Sequence, residues 1–176
     1  MFCSFRKFRA LMIPALLTGI SWSAALRHPL PSSQPSLRSL TGQSGYIFAG
    51  TVTAVEFASS SNSVPTTKIT FHIDQAIRGV SKGQTLVIHE WAGVRESGES
   101  YRQGERVLLF LYRPSRLGLT SPVGGQQGRF KLDANGMAIL RQEQTAKWFP
   151  VPIRGLVGTH VGITELTRAI RQAEEE

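Results

Sequence analysis

Cysteine is the scarcest residue of this chain, which holds a single one, Cys3, in 176 residues. It stands ahead of the apolar run Ala10–Ile20, a placement that does not suit a lipoprotein acylation site. Arg6, Lys7 and Arg9 precede the run, and Ser23-Ala24-Ala25 follows it with the small residues a signal peptidase reads. We therefore expect a signal peptide over 1–25, cleaved after Ala25, and a secreted or periplasmic location. Its loss would leave no cysteine, which excludes disulfides and thiol catalysis and leaves packing to hold the fold. Long hydrophobic runs are also lacking. Pro14, Thr18 and Gly19 interrupt the N-terminal stretch, which falls short of the about 20 apolar residues of a spanning helix. No membrane span is expected after leader cleavage; an uncleaved N-terminal anchor is the alternative for the same residues.

Acidic residues are outnumbered, but modestly. Three of the 20 basic residues lie in the leader, leaving 17 against 12 acidic ones, a net +5 with histidines neutral. They are scattered as single arginines. Nucleic-acid binding asks for clustered Lys and Arg with interleaved aromatics, so no specific nucleic-acid binding is expected. A diffuse affinity for acidic polysaccharide or anionic lipid stays open.

What is present is β-pattern. About 150 residues beyond the leader suffice for one domain with a real core. Residues 26–45, rich in Ser, Pro and Gln, read as a flexible lead-in to a β-barrel core at 46–140. In Tyr46–Phe57, Phe48, Val52 and Ala54 share a face, and Gly50 between them suggests a bulge or sharp coil. In the second strand Ile69, Phe71, Ile73 and Ile77 face inward, while Lys68, Thr70, His72 and Asp74 face water. Gln84–Ala92 forms the third strand. Glu105–Arg113 is apolar on both faces and reads as a central strand. Leu117–Val123 suits a short strand, and Asn135-Gly136 marks a hairpin turn between RFKL and MAIL. Residues 141–176 read as an irregular segment around Trp148–Pro152, followed by an amphipathic helix from Ile163 to Ala173. The expected fold class is mainly β: a small OB-like Greek-key barrel with one C-terminal helix.

The succession IFAGTVTAVE, AIRGVSKGQ and YRQGERVLLFLY resembles a group of uncharacterised secreted bacterial proteins. In these a V-G-x-V strand precedes a basic residue–glycine turn, and F/Y-x-x-G-E-x-x-L-L-F-L follows. More remotely, over Tyr46–Leu132, the order is similar to the OB-like barrel of netrin-like domains and tissue inhibitors of metalloproteinases. That resemblance implies a barrel and, as one kind of partner, an extracellular protease. The family's disulfides and its metal-engaging N-terminal cysteine have no counterpart here, so fold alone carries over.

Candidate chemistry is sparse. His72, Asp74, His89 and Glu90 lie on strands that should pair, and two imidazoles with a carboxylate can ligate zinc, which would suit a metal-dependent hydrolase using His72 and His89. They lack the short fixed spacing of a zinc site, and a solvated strand face accounts for them. Gly124–Gly128 shares only glycine content with a phosphate-cradling loop. Trp91, Tyr101, Trp148 and Phe149 are candidates for ligand stacking or for packing. Arg95, Arg102, Arg113 and Arg116 surround the loops 92–104 and 115–128. No catalytic residue, metal or cofactor is assigned. The expected function is a non-enzymatic binding or inhibitory module for another exported protein, contacting it through Trp91, Arg95, Tyr101, Arg102 and Arg116. Carbohydrate or envelope-surface binding is the alternative.

Overall fold

A computed structural model describes residues 35–58, 64–93, 100–149 and 154–175. The expected signal peptide over 1–25 and Arg95 lie outside the described residues. The elements run α1 (Leu37–Gln43), β1 (Tyr46–Ala58), β2 (Thr66–Arg78), β3 (Thr85–Trp91), β4 (Arg106–Leu111), β5 (Arg129–Lys131), β6 (Met137–Ile139), α2 (Gln142–Trp148), β7 (Leu156–Val157), β8 (His160–Gly162) and α3 (Ile163–Glu175). Five strands form one antiparallel sheet in the order β3-β2-β1-β4-β5, and three form a second in the order β6-β8-β7. The mainly β reading and the C-terminal helix hold.

β4 is an internal strand with both faces covered, as its two-sided apolar pattern requires. Val107, Leu109 and Leu111 pack with Phe48, Val52, Ile69, Phe71, Ile73, Ile88 and Tyr101. Strands β1 to β4 supply all of these buried residues except Tyr101, so the long sheet curls around its own core. Leu108 and Phe110 face the other way, into a second cluster with Ile47, Ala49, Phe130, Ala138 and Val161 and with the helix residues Leu37, Leu40, Leu166 and Ile170. Beyond the strands proper, Leu119 bridges to His89 in parallel and Pro122 bridges to Leu111 in antiparallel fashion.

Bulges explain where simple alternation fails. Val52 pairs with Phe71 but Ala54 with Thr70, so Thr53 is an extra residue in β1. The one-residue shift turns Val55, rather than Ala54, toward the core. Opposite, Gly50 pairs with Ile73 and Ala49 with Gln75, and Phe48 pairs with Ala76 but Ile47 with Arg78, leaving Asp74 and Ile77 as extra residues of β2. Past Asp74, Ala76 continues the Ile73 face, and Ile77 packs into the helix-covered cluster instead. Gly50 is the requirement here: a Cβ on it would sit 2.6 Å from the His72 carbonyl oxygen.

Two segment assignments need correction. The lead-in is not flexible throughout, since Leu37–Gln43 is helical, and Leu37 and Leu40 are core residues. Ser36 caps this helix by accepting the Ser39 N–H at 3.1 Å. Arg78 donates to the Thr41 and Ser44 carbonyls at its end and pairs with Glu174 of α3. The segment after 140 is not irregular throughout, because it contains α2 and the β7–β8 hairpin. Of the expected irregular stretch Trp148–Pro152, Trp148 ends α2, Phe149 is buried, and Pro150, Val151 and Pro152 lie outside the described residues. The core accordingly extends beyond 46–140.

Candidate functional site: a basic groove beside strand β5

The groove is built by the turn that leads into β4 and by β5, which pairs with β4. In Arg129-Phe130-Lys131 the strand period sends Phe130 into the core and the two cations outward, flanking it. Arg129 is the organising residue. Its guanidinium donates to Glu105 Oε2 at 2.9 Å and to the Ser100 carbonyl at 3.1 Å, and lies 3.9 Å from the Tyr101 ring centroid. The Arg129 and Glu105 side chains are only 12% and 14% exposed, so this pair is largely screened from water. Glu105 Oε2 also accepts the Arg102 N–H at 3.1 Å, which closes the turn. The turn is then pinned to β1 by Gly104 N–H to the Val52 carbonyl and Val52 N–H to the Glu105 carbonyl, at 2.8 and 2.9 Å.

The far wall is the turn Asp133–Gly136. Asp133 Oδ1 accepts the Met137 N–H at 2.9 Å, and the Gly136 N–H donates to the Asp133 carbonyl at 3.0 Å. Gly136 sits at φ +75°, the left-handed region that makes glycine the natural residue after Asn135. The Arg106 guanidinium crosses this turn, with Nη2 3.3 Å from where a Gly136 Cβ would be. The resulting cavity measures about 700 Å³ and is lined by four cations, Arg102, Arg106, Arg129 and Lys131, against the carboxylates of Glu105 and Asp133. Glu105 is engaged by Arg129. Among the described residues Arg102, Arg106 and Lys131 make no ion pair. A smaller cavity of about 290 Å³ shares Gln126, Arg129 and Lys131 with it and runs toward α2.

Of the five expected contact residues, Arg95 lies outside the described residues, and the structure disperses the other four. Arg102 lines the groove. Tyr101 does not contact solvent as expected: it is 6% exposed, packed edge-on against Phe71, with its hydroxyl 3.3 Å from Glu90 Oε1. Burial, reinforced by the charge of Glu90, raises its phenol pKa well above the ordinary value, while Arg129 acts in the opposite sense. Trp91 is 57% exposed at the end of β3, near the ends of the β1–β2 hairpin that carry exposed Phe57 and Val64. Arg116 is exposed on the loop leaving β4, at the other end of that strand from Arg102. Trp148 and Phe149 pack, Trp148 edge-on against Phe130 with centroids 5.5 Å apart.

His72 and His89 are exposed, but they do not converge. His72 pairs with Thr85 and His89 with Lys68, four residues along the ladder, or about 13 Å. Among the described residues no three His, Cys, Asp or Glu side chains are grouped to hold a metal ion. One string, Gly79-Val80-Ser81-Lys82-Gly83, matches G-x-S-x-G, yet it lies between β2 and β3 rather than between a strand and a helix. The 124–128 segment is a 3₁₀ turn with Gly128 buried, not a loose loop. Of the other groove cations, Arg129 and Lys131 are marked in the sequence only by the R-F-K alternation, and no local pattern marks Arg106.

No protein-family model matches the chain, and no curated protein matches it as a relative.

Proposed function

We propose that this protein is an exported, non-catalytic binding module that holds an acidic segment of another exported protein in the groove beside β5. The observation that carries the reading is the trio Arg102, Arg106 and Lys131, three cations that make no ion pair among the described residues and line one cavity. Gathering like charges costs free energy, which an anionic partner returns, and such a patch also speeds encounter. Export rests on the leader pattern of residues 1–25. The OB-like barrel belongs to the same proposal. The self-enclosed core and the two bridges through Leu119 and Pro122, which link β3 back to β4, support it. Barrels of that kind bind with one face and its flanking loops.

Titration of poly-glutamate into the protein, followed by calorimetry, tests this reading. We expect binding that weakens with added salt, and at least a tenfold loss in Arg102→Glu/Arg106→Glu/Lys131→Glu with the far-ultraviolet dichroism unchanged. Equal binding by the triple variant, or none by the parent protein, overturns the proposal. Binding of an anionic polysaccharide but not of poly-glutamate moves the assignment to carbohydrate.

A further inference from the structure

The smaller cavity contains a feature the basic groove does not explain. Gln144 of α2 lines it and is 1% exposed. Its Oε1 accepts the Arg141 N–H at 3.1 Å, which fixes the amide orientation and assigns the other terminal atom as the NH₂ donor. That Nε2 is buried and has no hydrogen-bond partner among the described residues. A buried donor without an acceptor is unfavourable, and a ligand that brings an oxygen relieves it. The surroundings specify the oxygen's carrier. Lys131, Arg129 and Arg141 supply positive charge, and Ile139, 40% exposed, with Phe130 supplies an apolar wall.

We propose that this pocket anchors a carboxylate of the bound peptide, one oxygen on Gln144 Nε2 and the adjoining methylenes against Ile139. The carboxylate belongs to a glutamate side chain or to a chain terminus. The inference rests on reading the adjoining groove as a peptide site. A uronic acid would carry the same charge, but its ring has no open aromatic face here, because Phe130 is buried. The pocket's mixture of an amide donor, cations and an aliphatic wall matches a carboxylate on a short apolar stem.

The test uses the ¹⁵N-labelled protein, with the Gln144 side-chain amide assigned by its disappearance in Gln144→Glu. That variant keeps an oxygen for the Arg141 N–H and replaces the donor with a second acceptor. Three acidic peptides serve as probes, all rich in aspartate: one with a single glutamate and an amidated end, one with a free C-terminus and no glutamate, and one with neither. We expect the probe with the glutamate or the probe with the free C-terminus to shift the Gln144 amide, its identity naming the source. The third should leave it in place. Gln144→Glu should weaken the effective probe at least tenfold with Tm unchanged. Shifts at Arg106 and Lys131 with an unmoved Gln144 amide overturn the pocket and leave the groove standing. No shift anywhere overturns both. A Gln144 shift with oligouronate alone overturns the peptide assignment.

Discussion

The Arg129 guanidinium carbon stands 3.9 Å from the centroid of the Tyr101 ring, and this contact joins the sheet's core to the basic groove. Tyr101 faces inward to Phe71 and Glu90, while Arg129 faces outward to Glu105 and the Ser100 carbonyl. A desolvated cation over an aromatic face contributes about 0.5–2 kcal/mol, and the rigidity it brings sets the position of the groove's lower rim.

The Tyr101 phenol has a pH signature. An unfolded chain releases this proton near pH 10, whereas the folded chain holds it to higher pH because burial and Glu90 disfavour the phenolate. The folded state then binds more protons than the unfolded one. Its contribution to stability is intact below about pH 10 and is lost as pH rises through the folded value. Tyr101→Phe should remove one donor from buried Glu90, costing about 1–3 kcal/mol at neutral pH. It should also lessen the fall in Tm between about pH 9 and pH 11. Parallel declines in the variant and the parent would show that Tyr101 does not titrate as described.

The curled core sets a second expectation. Phe71 and Leu109 are both fully buried and belong to one cluster, whereas His72 on the opposite face of β2 is exposed. Phe71→Ala or Leu109→Ala should cost about 2–5 kcal/mol in urea denaturation through lost transfer energy and a residual cavity. His72→Ala should stay within about 0.5 kcal/mol. Equal tolerance at Phe71 and His72 would mean that the β2 register is wrong.

Leu40 separates a packed helix from a flexible lead-in. It is fully buried with Leu166 and Ile170 in the helix-covered cluster. Leu40→Ala should cost about 2–5 kcal/mol, a loss that a solvated segment would not show. An unchanged denaturation midpoint would detach α1 from the core.

How far the sequence could be read follows from which signals are local. The two-sided apolar run of β4 and the helical spacing of Leu166 and Ile170 are local patterns, and each appears in the structure. The Asn135-Gly136 turn also forms, but the expected hairpin closes only by the Leu132–Ala138 bridge, since β5 pairs with β4 and β6 with β8 in a different sheet. The bulge at Gly50 is signalled by the glycine, but the three extra residues, Thr53, Asp74 and Ile77, are not. Only cross-strand pairing reveals them, and they put Val55 and Ala76 where alternation placed other residues. α1 was masked by its Ser- and Pro-rich surroundings, although Ser36 with Leu37 and Leu40 spells a capped apolar turn. The groove was the least legible part. Arg106 and Lys131 meet only because β5 pairs with β4, and Tyr101, expected outside, is drawn in by Phe71 and Glu90.

The central claim is that acidic chain binds beside β5 rather than over the whole basic surface or at the exposed Trp91 end. Amide chemical-shift mapping with a short glutamate-rich peptide measures this directly. The expected result is a set of shifts confined to Ser100–Arg106, Arg129–Lys131, the Asp133–Gly136 turn and the adjoining pocket of Ile139, Arg141 and Gln144, with Trp91, Phe57 and Leu117 unmoved. Shifts centred on Trp91, or spread evenly over exposed arginines such as Arg113, Arg116 and Arg154, would contradict it.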